Sequence, residues 1–351
     1  MERRPLRGQG HRGAADPGRG DPPGGALNEL PRTGFEVELL APRGASRLDL
    51  AVELARRCGG RVVRRFHVDT ESSATPGVRA FWHLTPAFDV VDGTGTHRCS
   101  LVDDTTIVAD LDGAAPARPG WFRVLSDDPR LLRLVQRYAD PAEGIGSVLA
   151  PVAAVFGAQV VEVAGVHRLD DTAGATIALA APLPGGRERP CELVTPPFTD
   201  RHAEHLEDLL EPARDLGFSV PREAAVHVNL DAEGFRDVAR FRQVVEFFAA
   251  RDDLHRRFRT NPHCRRLGPL PDELVDLVGR DWPDWESLRA AAARTPVTKY
   301  ADVDVTRVLG LRPGPDVLEV RLLPGSVDGV AIVRQAAQLW GSLCPAGRST
   351  R

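Results

Sequence analysis

Apolar and polar residues alternate through Gly34-Phe35-Glu36-Val37-Glu38-Leu39, through Ala225-Val226-His227-Val228-Asn229-Leu230 and through Leu318-Glu319-Val320-Arg321-Leu322. A period of two predicts β-strands, in which residues i and i+2 project from the same face. Glu36 with Glu38, His227 with Asn229, and Glu319 with Arg321 therefore point together. Phe35, Val37, Val226, Val228, Leu318 and Val320 point the other way, into a core. If the three strands share one sheet, the polar set converges on one of its faces.

The rest of the pattern supplies the elements around them. Ser46 reads as the N-cap of a helix carrying Leu48, Leu50, Val52, Leu54 and Ala55 to a stop at Cys58-Gly59-Gly60. Short β-like runs at 61–68, 80–84, 88–92 and 106–111, separated by Gly, Pro and Asp, predict an antiparallel meander. Helices are expected over 130–139 and 145–156, and a strand over 176–181. Cys191-Glu192-Leu193-Val194-Thr195 reads as a strand stopped by Pro196-Pro197, and 199–216 as a helix containing Pro212. Further helices are expected at 235–251, 271–278 and 285–293. A strand opens at Lys299-Tyr300 and runs through Asp302 and Asp304 to Thr306, and a last helix covers 328 to about 343.

Strands alternate here with helices and hairpins but without a regular βαβ period. The expected fold class is therefore α+β: a largely antiparallel sheet with helices packed on one face and the other face left for a site. Residues 1–30 are rich in Gly, Pro and Arg with almost no large apolar side chains, and are expected to be disordered. Residues 31–345 are expected to form one catalytic domain with a helical insertion at about 120–175.

Composition narrows the function classes. A chain of 351 residues with 42% hydrophobic composition is long enough for a sizeable core. Its 45 basic and 49 acidic residues leave a net charge of −4, which offers no chain-wide attraction for nucleic acid or an anionic membrane. Cysteines at 58, 99, 191, 264 and 344 are scattered, odd in number and without CxxC spacing. Neither a disulfide framework nor a structural zinc site is indicated, and a reducing cytoplasm fits. No run approaches the roughly 18 apolar residues of a membrane span, and no apolar segment follows the N-terminal arginines as in a secretory signal. The expected location is cytoplasmic.

The chemistry is carried by the convergent set. Glu36 and Glu38 side by side repel unless solvated or bridged by a cation, and Mg²⁺ takes oxygen ligands. Glu192 is a lone acid in an otherwise apolar strand, Arg321 is a guanidinium suited to phosphate, and Lys299 stands at a strand entrance where it can neutralise phosphate charge. Taken singly, each has a plainer reading: the solvated face of an edge strand, a core histidine, a surface ion pair. Together they favour a metal–nucleotide site. The mechanical parts of P-loop, Rossmann, zincin and α/β-hydrolase chemistry are missing from the sequence. His202 and His205 read as the solvated face of a helix.

The ordered series GFEVE, CELVTPPF, AVHVNLD, KYADVDVT and EVRLLPG resembles the amidoligase family of the glutamine synthetase and glutamate-cysteine ligase fold, over residues 32 to about 343. The resemblance implies an ATP-dependent enzyme that joins a carboxylate to an amine through an acyl phosphate. It implies Glu36, Glu38, Glu192 and Glu319 as ligands of Mg²⁺ or Mn²⁺, and His227 with Asn229 beside the nucleotide–metal centre. Arg321 and Lys299 would lie against phosphate. The substrates it implies are a small-molecule or peptide acid and an amine, neither of which the sequence identifies. Two positions depart from the family pattern: His-x-His is common where this chain has His227-Val228-Asn229, and Asn where it has Asp304. Asn229 cannot accept a proton, and Asp304 adds negative charge. The alternative is a non-catalytic nucleotide- or peptide-binding protein on the same fold.

Overall fold

The alternating run that follows Pro31 forms β1 (Thr33–Leu40), the strand around which the site is built. The structure is a computed structural model that describes residues 30–72, 80–265 and 267–344, so nearly all of the Gly/Pro/Arg-rich tail lies outside the described residues. Ser46 precedes α1 (Arg47–Arg57), and its backbone N–H and hydroxyl both donate to the Asp49 carboxylate at 2.7 Å, fixing the first turn. Next come β2 (Arg61–Ser72), β3 (Ala80–Val91), β4 (His97–Val102) and β5 (Phe122–Ser126). The stretch expected to be a helical insertion holds α2 (Pro129–Tyr138) and α3 (Ala150–Phe156), and then a hairpin of β6 (Val160–Val163) and β7 (Val166–Asp170). Ala164 and Gly165 at the hairpin tip both have positive φ, the backbone a tight two-residue turn requires.

The chain continues through β8 (Thr176–Pro182), β9 (Pro190–Val194), α4 (His202–Asp215) and β10 (Ala225–Asp231). Four helices follow: α5 (Val238–Ala249), α6 (Arg251–Phe258), α7 (Asp272–Val278) and α8 (Trp285–Ala292). It ends with β11 (Val303–Asp304), β12 (Val317–Pro324) and α9 (Gly329–Leu343).

Among the described residues the strands form one twelve-stranded sheet in the order β11-β12-β10-β1-β9-β4-β3-β5-β8-β7-β6, with β2 paired to β3. Every pairing is antiparallel. The class is α+β, as expected.

Burial fixes the register. Phe35, Val37, Leu39, Leu193, Val226, Val228, Leu318 and Val320 are fully buried, in one cluster with Leu50 of α1, Leu206 and Leu210 of α4 and Ile332 of α9. A second cluster sets Phe66, Leu84 and Val124 against Leu132 and Val135 of α2 and Val152 of α3. Each buried Leu, Val or Phe contributes about 1.5–3 kcal/mol relative to exposure. A slip of one residue in β1 would turn this row to solvent and drive Glu36 and Glu38 into the core, so the apolar face holds the polar face in place.

Three expectations are corrected. Residues 80–84 and 88–92 belong to a single strand, β3, that runs through Pro86. Pro86 lies where the β5 ladder ends at Leu84 and the β4 ladder begins at Phe88, so no neighbour on that side needs its missing N–H. Its carbonyl accepts instead from the buried Arg47 guanidinium at 3.2 Å. Residues 106–111 form turns rather than a strand, because Asp104 draws the chain back by accepting from the Thr106 N–H at 2.8 Å. The last meander strand is β4 instead. Finally, Lys299 and Tyr300 lie in a turn, and only Val303 and Asp304 join the sheet.

Candidate functional site

Four neighbouring strands bring the polar set together. Glu36 of β1 stands opposite His227 of β10, Glu38 opposite Glu192 of β9, and Asn229 opposite Glu319 of β12. His227 is buried at the centre. Its Nδ1 lies 2.9 Å from Glu36 Oε2, 3.6 Å from Glu319 Oε1 and 3.9 Å from Glu192 Oε1, and its Nε2 lies 3.2 Å from Glu38 Oε1. The other Glu38 oxygen accepts from the Ala225 N–H at 2.7 Å. Asn229 Nδ2 donates to Glu36 Oε1 at 2.9 Å. Arg321 closes the cluster through a short ion pair with Glu319. Its backbone N–H donates to the Asp302 carbonyl at 2.9 Å, and Arg251 and His255 of α6 hold the Asp302 carboxylate at 2.9 Å each. Helix α6 thus positions the β12 end of the site.

The electrostatics follow from crowding. Burial opposes ionisation of Glu36, but the hydrogen bond and charge of His227, with bonds from Glu192 and Asn229, hold its carboxyl well below the usual carboxylate range. Burial and then the Glu36 charge push Glu192 well above that range, so of the two carboxyls Glu192 favours the protonated form and Glu36 the ionised one. Burial and Arg321 pull His227 down, yet its bonds to Glu36 and Glu38 outweigh them and raise it to about 9. The upward shifts of His227 and Glu192 both favour bound protons against the surplus negative charge of the cluster. A divalent cation would replace them.

The donor set fits such a cation. Ligand atoms of Glu36, Glu192 and His227 all lie within 4.8 Å of one another. Asn229 Oδ1 is buried without a hydrogen-bond partner and adds a free oxygen donor. Carboxylate and amide oxygens suit Mg²⁺ or Mn²⁺, and the imidazole tilts the preference toward Mn²⁺.

The cluster forms one wall of a cavity of about 280 Å³, whose lining also includes Arg65, Lys299, Arg307 and Arg312. Acids and cations therefore share one cavity. Lys299 does not bond the carboxylate cluster; its Nζ lies 3.6 Å from Asp69 and over the Tyr300 ring. Asp304, the departure that adds negative charge, is fully buried and neutralised by Arg312 at 3.0 Å. Asn229 lines an adjoining cavity of about 500 Å³ that shares Glu36 and Arg307 with the first.

Sequence reasoning missed Asp104, Arg307 and Arg312. Burial and then the Glu38 charge push Asp104 up to about 7. Its signal was available: Leu101-Val102-Asp103-Asp104 ends an apolar strand in acid, as Glu192 interrupts another. Arg307 and Arg312 follow β11 in a segment without periodicity and carried no such signal. His202, expected to be solvated, is buried at the start of α4 against Phe35 and Phe198, with Nε2 at 3.1 Å from the Phe198 carbonyl.

A pH dependence follows. Stabilisation from His227 is complete below its unfolded value near 6.5 and is lost as pH rises through about 9. Asp104 and Glu192, also raised, favour their protonated forms in the folded state and act in the same direction, whereas Glu36 matters only in strong acid. The metal-free protein should melt at a lower temperature at pH 9 than at pH 6, and Mg²⁺ should raise the melting temperature more at pH 9. Scanning calorimetry checks both, and a melting temperature that climbs from pH 6 to 9 without metal would contradict this charge assignment.

Comparison with known proteins gives one family. The family model described as "Putative amidoligase enzyme" matches residues 30–336. No curated protein and no solved structure matches the chain.

Proposed function

The chain belongs to the amidoligase family of ligase-type enzymes, and from that premise we propose that it joins a carboxylate to an amine at the expense of ATP, on a sheet of the glutamine synthetase type. The observation that carries this reading is the convergence of Glu36, Glu38, Glu192 and Glu319 on His227 and Arg321, in a cavity that other cations also line.

A carboxylate is a poor electrophile. Transfer of the ATP γ-phosphoryl group to it gives an acyl phosphate and ADP, and attack by an amine then gives the amide, phosphate and a proton. In this reading Glu36, Glu38, Glu192, Glu319 and His227, with Asn229 Oδ1, hold divalent metal. A metal held there would supply positive charge against the phosphate oxygens of the nucleotide. Arg321 faces the transferring phosphoryl group and stabilises the charge it spreads over its oxygens. Lys299, on the cavity wall beside Asp69, draws the phosphates across the cavity. His227 would have to give up one ring proton to hold a divalent ion, freeing one nitrogen to ligate and leaving the other N–H to donate to its neighbouring carboxylate, Glu36 at Nδ1 or Glu38 at Nε2. The acid and amine are of small-molecule or peptide size. A cytoplasmic setting is supported by cysteines that are all unpaired. Among the described residues, no helix is long and apolar enough to cross a membrane.

Release of ADP tests the proposal. Purified protein with ATP and Mg²⁺ or Mn²⁺ should release ADP when pooled amino acids and short peptides are added, and should lose that stimulation with chelator. Asn229, in place of a second histidine, favours a rival reading in which nucleotide binds without turnover. Metal-dependent ADP binding with no stimulated release from any pool would support that rival.

A further inference from the structure

The two cavities meet at Glu36, and the cations around them are paired almost without exception. In the first, Arg65 is bound to Asp89, Lys299 to Asp69, Arg312 to Asp304 and Arg321 to Glu319. In the second, Arg32 is bound to Asp231 and Arg236 to Asp316. Arg307 lines both cavities and breaks the pattern. Among the described residues its guanidinium has no carboxylate at ion-pair distance and no hydrogen-bond acceptor, and its Nε is buried without a partner. Gly314 lies against it: a Cβ there would stand 3.6 Å from Arg307 Nε, and φ of +135° keeps the position to glycine.

A partly buried guanidinium left unpaired costs free energy that an arriving oxyanion recovers, and its planar fork matches a phosphate or carboxylate. We propose that Arg307 is the oxyanion anchor at the junction of the two cavities, holding a phosphoryl or carboxylate group of a ligand that extends from one cavity into the other. The assignment rests on the ligase reading for the identity of that ligand, but not on turnover. Glu36 and Arg307 line both cavities, so an extended polyphosphate has the metal-ligand cluster and Arg307 on the walls of the same space.

Calorimetric titration of the full chain tests it, in Mg²⁺, with inorganic tripolyphosphate, ADP and glutarate as probes on wild type, Arg307→Ala and Arg307→Lys. Arg307→Ala should weaken tripolyphosphate and ADP by about 10- to 100-fold, the range for a charged hydrogen bond. Arg307→Lys should recover only part of the loss, because lysine supplies the charge without the fork. Without ligand, the melting temperature of Arg307→Ala should be equal to or above that of wild type, which a merely structural arginine would not give. Loss confined to glutarate would assign the carboxylate source. Arg307-dependent tripolyphosphate binding without ADP binding would uphold the anchor and remove the nucleotide reading. Equal binding of all probes by wild type and Arg307→Ala, or no binding of any probe by wild type, would overturn the anchor, and ADP binding indifferent to Arg307 would do so while leaving the ligase reading intact.

Discussion

Glu36→Gln should abolish metal-dependent nucleotide binding, a loss of at least about 100-fold, since even the partners of metal ligands contribute 10- to 100-fold. Glu36 is held between His227 Nδ1 and Asn229 Nδ2, each at 2.9 Å, and belongs to the group whose ligand atoms converge within 4.8 Å. Its carboxyl, held low, is charged throughout the accessible pH range. Glutamine keeps the shape but brings no charge, and its NH₂ turns a donor toward groups that now donate to Glu36. Two effects on the metal-free protein oppose one another. His227 loses its nearest counter-charge, and Glu192 is relieved of the Glu36 charge that pushes it up. The melting temperature should therefore move little while titration with ADP and Mg²⁺ gives no heat. Binding equal to wild type would take Glu36 out of the site.

Arg321→Ala should lower ligase turnover by about 10³-fold, the scale of a preorganised cation on a transferring phosphoryl group. Nucleotide affinity should fall by less than about tenfold. Burial works against the Arg321 charge, but the charges of Glu319, Glu36 and Glu38 outweigh it, so the guanidinium stays cationic. In the resting site that charge is spent on Glu319. A divalent ion on the carboxylates would compete for Glu319 and leave the Arg321 guanidinium free to face a phosphoryl group. Without Arg321 the carboxylate cluster is more negative, so metal should bind at least as well, and Arg321→Lys should restore part of the turnover. Steady-state kinetics with the substrate pool that stimulates ADP release separates the two parameters. Equal losses in affinity and turnover would argue against a role in the transition state.

What could be read from the sequence is what strand periodicity encodes. Phe35, Val37, Val226, Val228, Leu318 and Val320 occupy every second position and are buried, so the polar partners had to share the opposite face. Glu192 was legible for the same reason, with Pro196-Pro197 marking its strand end. That Glu36 stands opposite His227 was not legible, because it depends on which distant strands become neighbours, and that is decided by the whole sheet. Alternation alone extends a strand back to Lys299, yet Thr298 and Tyr300 turn the chain there, and a two-residue strand leaves no pattern to detect. Arg307 shows the same limit more sharply. Its significance is the absence of a partner among the described residues, which only the positions of the surrounding carboxylates reveal.

In the proposed site, the carboxylates around His227 form a metal centre that meets nucleotide phosphate. Phosphorus-31 relaxation of ADP titrated with the protein and Mn²⁺ tests it most directly, because paramagnetic broadening reports the distance from metal to phosphorus. Strong broadening of the β-phosphorus is expected with wild type, and none beyond that of free Mn²⁺–ADP with Glu36→Gln. Broadening that persists unchanged in Glu36→Gln, or ADP binding by wild type that brings no Mn²⁺ to its phosphates, would contradict it.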